Sequence, residues 1–458
     1  MSSRMLPVLG GFAERDCPDP SIIQSCVRCG LCLPHCPTYL ETLRETSSPR
    51  GRIHLIEAVA EGRLSLTSPG FVSQMYQCLD CRACEAVCPS GVRYGQLVEA
   101  ARTQIERARS RPLRQRLLRW LAFRHIFRSM RLFRAINHLL RLYQRLGLQW
   151  LARRSGVLRL LKLAEIEALL PSLRGRFLLP CGQVLSPSAS SPRERVALFA
   201  GCIMSTAFAE TDRATMRVLA AQGCAVYLPA GQRCCGALTV HAGELDQARQ
   251  HARRTIEAFE QLAVSAPEDH QPLEAIIVNA AGCGATLKDY GHLLRDDPKF
   301  AERAAAFSAK VKDISEYLGD LAGRGELNTA MRPLNLTLTY QDPCHLAHAQ
   351  RITQQPRRLL QMIPGVRLVE MREPVLCCGS AGIYNLTQPE MSRRLLRRKV
   401  SHLLETQAEV VVSANPGCIL QLQAGLRAAG SSTRVLHLVD VLDAAYQPDT
   451  TPPANSAR

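Results

Sequence analysis

The sequence predicts an α+β multidomain protein: an α-helical domain organised by cysteine clusters, an arginine-rich helical segment, then two repeated α/β cysteine-rich domains. Three observations carry this. A run of four cysteines at x2, x2, x3 spacing occurs twice between residues 26 and 88. The stretch from Arg107 to Arg159 holds fifteen arginines and no acidic residue. From residue 195 onward, apolar strand-like runs alternate with helical patterns, and a Cys-Cys-Gly tripeptide recurs at matching positions. With 458 residues and 46% hydrophobic content, the chain has material for several cores.

The first domain is expected over 1–105. Its first motif, SCVRCGLCLPHCPTYL, places Cys26, Cys29, Cys32 and Cys36 before Pro37; its second, QCLDCRACEAVCPSG, places Cys78, Cys81, Cys84 and Cys88 before Pro89. Three cysteines two residues apart wrap one face of a cubane, and the proline turns the chain away after the fourth thiolate. This is the bacterial ferredoxin run for two [4Fe–4S] clusters. In two-cluster ferredoxins the fourth cysteine of each run ligates the other cluster. One cluster is therefore expected on Cys26, Cys29, Cys32 and Cys88, the other on Cys78, Cys81, Cys84 and Cys36. Structural zinc prefers separated ligand pairs and fits a doubled run of four poorly. Between the motifs, GRIHLIEAVAEGRL (51–64) puts Ile53, Ile56, Val59 and Ala60 on one helical face. VEAARTQIERARSR, from Val98, reads as a second helix. Arg28, Arg82 and Arg93 lie in or beside the motifs, as cations favouring reduced clusters or as solvated surface.

Residues 106–179 read as a basic amphipathic helical segment. Leu132, Phe133, Ile136, Leu139, Leu140, Tyr143 and Leu146 recur at three- and four-residue intervals, with Arg128, Arg134, Arg141 and Arg145 mostly off that stripe. Both tryptophans, Trp120 and Trp150, fall here. Removing the fifteen arginines and Lys162 from the net charge of +17 leaves about +1, so the basic character is local. Such helices lie on anionic lipid with aromatics at the boundary, which makes 107–164 a candidate for peripheral membrane and quinone contact. The alternative is packing on the protein's own domains or on an acidic partner. No nucleic-acid motif accompanies the arginines, so no nucleic acid is expected as a partner.

A linker is expected over 180–195, from SPSASSPRER. The first cysteine-rich domain follows over 196–332, with strands at RVALFAG, CAVYLPA and EAIIVNAAG. The second spans 333–446, with strands at LNLTLTYQ, VRLVEM, AEVVVSANPG and RVLHLV. The tail 447–458 reads as disordered. The first copy carries Cys202, the pair Cys234 and Cys235, and Cys283; the second carries Cys344, the pair Cys377 and Cys378, and Cys418. The outer cysteines follow predicted strands directly, and ligands of open α/β sheets gather at the carboxyl ends of strands. Four thiols per copy are thus candidates for an additional redox or metal site, the bland alternative being buried, inert cysteines. Cys17, Cys181 and Cys224 are read as structural.

An odd count of 19 cysteines argues against a complete disulfide framework. MSSRMLPVLGGFAER has no apolar core of signal-peptide length, and no run suggests a membrane-spanning helix. A reducing cytosol, with attachment to the inner face of the membrane through the basic segment, is the expected location. No Gly-x-Gly-x-x-Gly follows a strand, so no dinucleotide site is expected.

The doubled Cys-Cys-Gly (CCG) module resembles the cysteine-rich domain of heterodisulfide reductase and its relatives, and the order of parts matches iron–sulfur subunits of that group over nearly the whole chain. Within it, the stretches CPTYLETLRETSSPRGRIHLIEAVAEG, CLDCRACEAVCPSGVRYGQLVE, AAGCGATLKDYG and CCGSAGIYNLT are most similar to the iron–sulfur subunits of glycolate oxidases. The resemblance implies two [4Fe–4S] clusters and no catalytic residue in this chain, with the CCG domains a candidate place for a further cluster. FAD is expected only in partner flavoprotein subunits, which would oxidise glycolate to glyoxylate and pass electrons on towards quinone. The equivalent subunit of a lactate or anaerobic glycerol-3-phosphate dehydrogenase, a thiol/disulfide oxidoreductase, and a zinc or scaffold protein are the alternatives. One departure bears on the disulfide chemistry: Thr286 and Gln421 stand where heterodisulfide reductase has a fifth cysteine.

Overall fold

A computed structural model describes residues 11–161, 163–173, 175–187, 192–265 and 273–447. The tail beyond Gln447, the centre of the expected linker, and Lys162 lie outside them. The first part is helical. Helices Pro37–Thr42, Pro49–Ala60 and Pro69–Gln77 each open on a proline, whose missing N–H costs nothing there. Ser48 caps the second by accepting from Gly51 N at 3.0 Å. A Cβ at Gly51 would meet Glu45 O at 2.0 Å, so only glycine fits. Helix Tyr94–Ala108 completes a core of Ile53, Ile56, Phe71, Met75, Leu97 and Ile105. The expected Ile53, Ile56, Val59 and Ala60 face is buried in it.

Among the described residues nine strands follow: β1 Val184–Leu185, β2 Glu194–Leu198, β3 Cys224–Tyr227, β4 Ala275–Val278, β5 Val311–Asp313, β6 Leu336–Tyr340, β7 Val366–Leu368, β8 Val410–Ser413 and β9 Arg434–His437. They form two sheets, ordered β1-β3-β2-β4-β5 and β7-β6-β8-β9. All pairings are parallel except β1 with β3. Stripped of β1, the two orders are the same, which is the repeat expressed as topology. All seven predicted strands are present; β1 and β5 were not foreseen. The β5 run is only three residues, but Asp313-Ile-Ser-Glu316 after it is a capping box that starts helix Ile314–Gly323. In the second module, His437 and Asp440 cap helix Leu438–Tyr446 in the same way.

One continuous core fuses the modules. Leu198, Val218 and Leu318 of the first pack in the same cluster as Leu338, Leu359, Val412 and Leu442 of the second. Polar groups fix the register: Ala281 N donates to Ala414 O at 3.1 Å, and Arg217 pairs with Asp443 at 2.7 Å. Buried His437 accepts from Val439 N on Nδ1, so its Nε2–H donates to Asn279 O at 2.7 Å.

The arginine-rich segment straps across this body as helices Leu113–Arg119, Trp120–Ile126, Met130–Arg145, Leu148–Arg154, Val157–Leu160 and Ala164–Ala168. Its longest helix faces inward on a side that takes in only part of its apolar stripe, Phe133 being buried and Leu140 and Tyr143 half-buried. Met130, Phe133 and Asn137 are buried, with Arg134 and Arg141 beside them, while Leu132, Ile136, Leu139 and Leu146 are exposed. The reason lies in the loop it covers. Arg141 lies 3.9 Å over the Phe177 ring and donates to Leu173 O at 2.9 Å, so its inward position is satisfied.

Asp313 gives the fold a measurable signature. One carboxylate oxygen accepts from Ser315 N at 2.8 Å; the other is buried without a partner. Burial raises its pKa to about 6. The folded chain then keeps a proton that the unfolded chain has lost, so this group erodes stability as pH rises from about 4 to about 6. Asp313→Asn keeps the cap and removes the charge. The variant's melting temperature should gain on the wild type's across that window; a constant difference would refute the assignment.

Candidate metal centres

The two four-cysteine motifs share one backbone device. In each, the residue before the second cysteine (Arg28, Asp80) and the residue after it (Gly30, Arg82) have positive φ, between 53° and 87°. Two left-handed residues around the middle thiol curl the loop so that successive side chains point to one centre.

The second motif forms a closed site. Cys78, Cys81 and Cys84 line a cavity together with Cys36, which arrives from the first motif. Cys36 and Cys78 lie 42 positions apart in sequence. Burial and the neighbouring thiols push Cys81 and Cys84 well above the ordinary thiol range, so neutral thiols crowd where metal would take thiolates. The first motif is more open: Cys26, Cys32 and Cys88 are half-buried and Cys29 is exposed. Burial, with Cys36 and Cys26 nearby, pushes the Cys32 thiol up to about 11.

Arg52 tests whether an iron–sulfur cluster fits. It lines the second cavity and is 1% exposed. It donates to Gln74 O at 2.9 Å and Thr38 Oγ1 at 3.0 Å, and no carboxylate pairs with it among the described residues. Burial opposes its charge, while the Cys78, Tyr94 and Cys36 groups around it favour that charge. A buried guanidinium without a carboxylate calls for an anion, and four thiolates around a cubane are one. Arg102 repeats the arrangement, donating to Cys78 O at 2.5 Å, Met75 O at 2.9 Å and His241 O at 3.1 Å. The residues present fit a [4Fe–4S] cluster.

Of the three arginines singled out from sequence, Arg28 is exposed and paired with Glu57, and Arg93 is exposed. Arg82 is largely buried, donating to Glu99 at 2.8 Å, with Asp289 at 3.5 Å. Asp80, Glu99 and His241 place ligand-type atoms within 4.8 Å of one another. With Arg82 on Glu99 and His241 on Asp80, the group is an ion-pair network.

The eight CCG cysteines all line one cleft between the modules. Cys202 follows β2, Cys283 lies in the first turn after β4, Cys344 follows β6, and Cys418 lies in the first turn after β8; each thus sits at the carboxyl end of a parallel strand. The vicinal pairs come in on loops after β3 and β7. Cys202 and Cys234 lie 3.7 Å apart, Cys235 and Cys283 3.2 Å, and Cys344 and Cys377 4.0 Å. Hydrogen bonds from neighbouring thiols hold Cys234 and Cys378 well below the usual range. The glycine of each tripeptide has positive φ, and a Cβ at Gly379 would meet Ser392 O at 2.7 Å. Behind the pairs the modules differ. The second has buried Lys399, which donates to Glu373 O at 2.6 Å and Pro374 O at 3.2 Å; the first has His251. Thr286 and Gln421 are engaged locally, with Gly282 O and with Ser392 and Asn385. Among the remaining cysteines, Cys17 is half-buried, Cys224 is buried with Tyr317 OH at 3.1 Å, and Cys181 is exposed.

Cavity and cleft share a wall. Leu79 lines both, and packs with Cys81, Cys344 and Cys377 in one cluster. Asp80 fixes this wall: its carboxylate meets His241 Nδ1 at 3.0 Å, and its carbonyl meets His345 Nε2 at 2.9 Å. Tyr384 OH closes the same junction on Gln77 O at 2.8 Å. Sequence reading missed Arg52, Arg102, Asp80, His241, His345 and Lys399. Asp80 and His345 had a local signal in their cysteine neighbours; the others had none.

Comparisons with known proteins agree with this layout. Residues 22–92 match the family model of a 4Fe-4S dicluster domain, 114–170 that of the glycolate oxidase iron-sulfur subunit linker region, and 196–288 and 338–423 that of a cysteine-rich domain, CCG. The chain is 42% identical over 451 residues to the "Probable glycolate oxidase iron-sulfur subunit" of Bacillus subtilis (strain 168), covering 96% of this chain and 97% of that protein. It is 33% identical over 437 residues to the glycolate oxidase iron-sulfur subunit of Escherichia coli (strain K12), covering 93% and 95%. Lactate utilization protein A of Oceanobacillus iheyensis is 28% identical over 249 residues, 54% of this chain and 96% of its own. With matching parts in matching order along nearly its whole length, the chain belongs to the family of glycolate oxidase iron–sulfur subunits.

Proposed function

We propose that this chain carries electrons from a flavoprotein that oxidises glycolate to glyoxylate, and delivers them towards the respiratory quinone pool from the cytoplasmic face of the membrane. The FAD belongs to the partner subunits. The observation that carries the reading is the shared wall: Leu79 separates the second cysteine cavity from the CCG cleft by one side chain, so redox groups in both would be neighbours. [4Fe–4S] clusters, when bound, supply one-electron carriers that let a two-electron donor be reoxidised stepwise.

The chain's own residues bind and tune. We assign Cys26, Cys29, Cys32 and Cys88 to one cluster and Cys36, Cys78, Cys81 and Cys84 to the other, with the eight CCG cysteines as a further redox or metal site. Arg52 and Arg102 place two buried positive charges beside the second site, which favours additional negative charge there. Asp80 N on Cys78 Sγ at 3.3 Å acts in the same direction, as Val92 N on Cys88 Sγ at 3.4 Å does at the other cluster. Packing of the modules over Cys81 excludes water from this site. The satisfied Thr286 and Gln421 speak against disulfide turnover in the cleft. The lactate utilization relative keeps lactate as the second substrate reading.

Four experiments test these assignments. Anaerobic wild type should hold about eight irons from the two motifs; any excess that disappears in Cys234→Ala/Cys377→Ala belongs to the cleft. Under the crossed assignment Cys36→Ser/Cys84→Ser should lose no more iron than either single variant, about four. Loss of all eight would place the two residues on different clusters. Arg52→Met should lower the second cluster's midpoint potential by about 60 mV or more in a redox titration, the one-electron equivalent of a tenfold change, with Arg52→Lys between. In complex with its flavoprotein subunits, the chain's visible absorbance should bleach on adding glycolate; bleaching by lactate alone would exchange the substrate.

A further inference from the structure

We infer that His345 is a nitrogen ligand of the metal held in the second CCG module, joining Cys344, Cys377, Cys378 and Cys418. The inference rests on the reading of the cleft as a metal site, and it names a donor that the cysteine pattern does not contain. His345 follows Cys344 in the chain and lines the cleft with it. It is 9% exposed, and its Nδ1 is buried without a hydrogen-bond partner among the described residues. A buried polar atom left so calls for an explanation. The other ring nitrogen, Nε2, meets Asp80 O at 2.9 Å. A carbonyl oxygen only accepts, so Nε2 carries the hydrogen. A hydrogen on Nδ1 as well would be a buried N–H with nothing to receive it. Nδ1 therefore presents a bare lone pair.

That is how a metal-bound imidazole is held: one ring nitrogen donates to a carbonyl or carboxylate, which fixes tautomer and orientation, and the other is left for the metal. The backbone adds a second sign. His345–Ala349 is a π turn, closed by Gln350 N on His345 O at 3.1 Å, and such wide turns are rare and concentrate at functional sites. In the first module Ile203 takes the place after Cys202, at the start of an ordinary α-helix, and His251 is not part of the cleft lining. His241 does line the cleft, but its Nδ1 is engaged on the Asp80 carboxylate at 3.0 Å. The nitrogen donor is thus peculiar to the second module. There Gln421 turns its amide to Ser392 and Asn385, and the imidazole supplies the donor that the four thiols lack. Histidine in place of cysteine on iron raises the potential of a cluster, so the second site is set above an all-thiolate first one. Because Nε2 is tied to the carbonyl of Asp80, one residue before Cys81, the same ring links the loop of the buried cluster to the metal of the cleft.

The test is pulsed electron paramagnetic resonance on the full-length, anaerobically purified protein, produced with and without 15N-histidine and poised where each signal is largest. In the wild type one centre beyond the two ferredoxin-type clusters should show a nitrogen coupling strong enough for direct ligation, and it should change with the histidine label. His345→Gln can still donate an amide hydrogen to Asp80 O and should lose that coupling, with the about eight irons of the two motifs retained. His345→Cys should keep all the iron, lose the coupling, and lower that centre's midpoint potential by about 60 mV or more, the one-electron equivalent of a tenfold change. Where one variant does not fold, the other carries the assignment. A cleft signal without histidine coupling in the labelled wild type would overturn the ligand, as would a coupling that survives both substitutions, which would belong to another histidine. Iron content is read separately. Iron beyond the two motifs without the coupling sinks the ligand and leaves the cleft a metal site, whereas no such iron sinks both.

Discussion

Asp80 lies between the amino-terminal domain and both α/β modules with its side chain fully buried, and the placement of the cysteines depends on what keeps it there. An isolated buried carboxylate is costly. Here burial is outweighed by the hydrogen bond from His241 and by the Arg82 and Arg102 guanidinia, which hold the acid well below its usual range. Because Leu79 and Cys81 are its chain neighbours, fixing Asp80 fixes the wall between the cluster cavity and the cleft. His241 comes from the first module and His345 from the second, their rings 5.1 Å apart, so one residue reports the alignment of three units.

The duplicated modules supply a symmetrical frame and then depart from it in chemistry. Both put a single cysteine after the first parallel strand, a vicinal pair on a loop closed by a left-handed glycine, and a last cysteine in a helix's first turn. Yet the second pair is backed by buried Lys399 and the first by His251. Two redox groups in such a frame would have different potentials, because a nearby fixed charge acts strongly where water is excluded. The second module is also the one whose cysteines touch the ferredoxin-type domain, through Cys344 and Cys377.

Much of this was legible in the sequence because it is local. Spacing of two and three residues, a following proline, and a strand run into Cys-Cys-Gly are short-range signals, and each led to a cysteine that the fold gathers with others. The convergence of Cys36 on Cys78, Cys81 and Cys84 followed from a ferredoxin rule and agrees with the cavity they line. What was not legible depends on distant partners. Arg52 and Arg102 look like ordinary helix arginines; only packing reveals that they are buried, and that neither forms a direct ion pair among the described residues. Helix Met130–Arg145 was read correctly as amphipathic, but periodicity cannot say which face turns inward, since that was decided by Phe177 and the carbonyl of Leu173. Strand β5 was too short for alternation and was betrayed only by the cap that follows it.

The wall over Cys81 also has a place in time. Cys26 to Cys88 leave the ribosome first, and their domain has its own core, so it can fold before the rest exists. His241, Cys344, Cys377 and Tyr384 emerge 150 to 300 residues later, and they are what closes the junction. Chain order therefore opens a loading window: iron and sulfide can reach the second motif while it is still the outer edge of a nascent domain. Once the carboxy-terminal module docks, the same site becomes an interior one, and replacing a damaged cluster requires the modules to part.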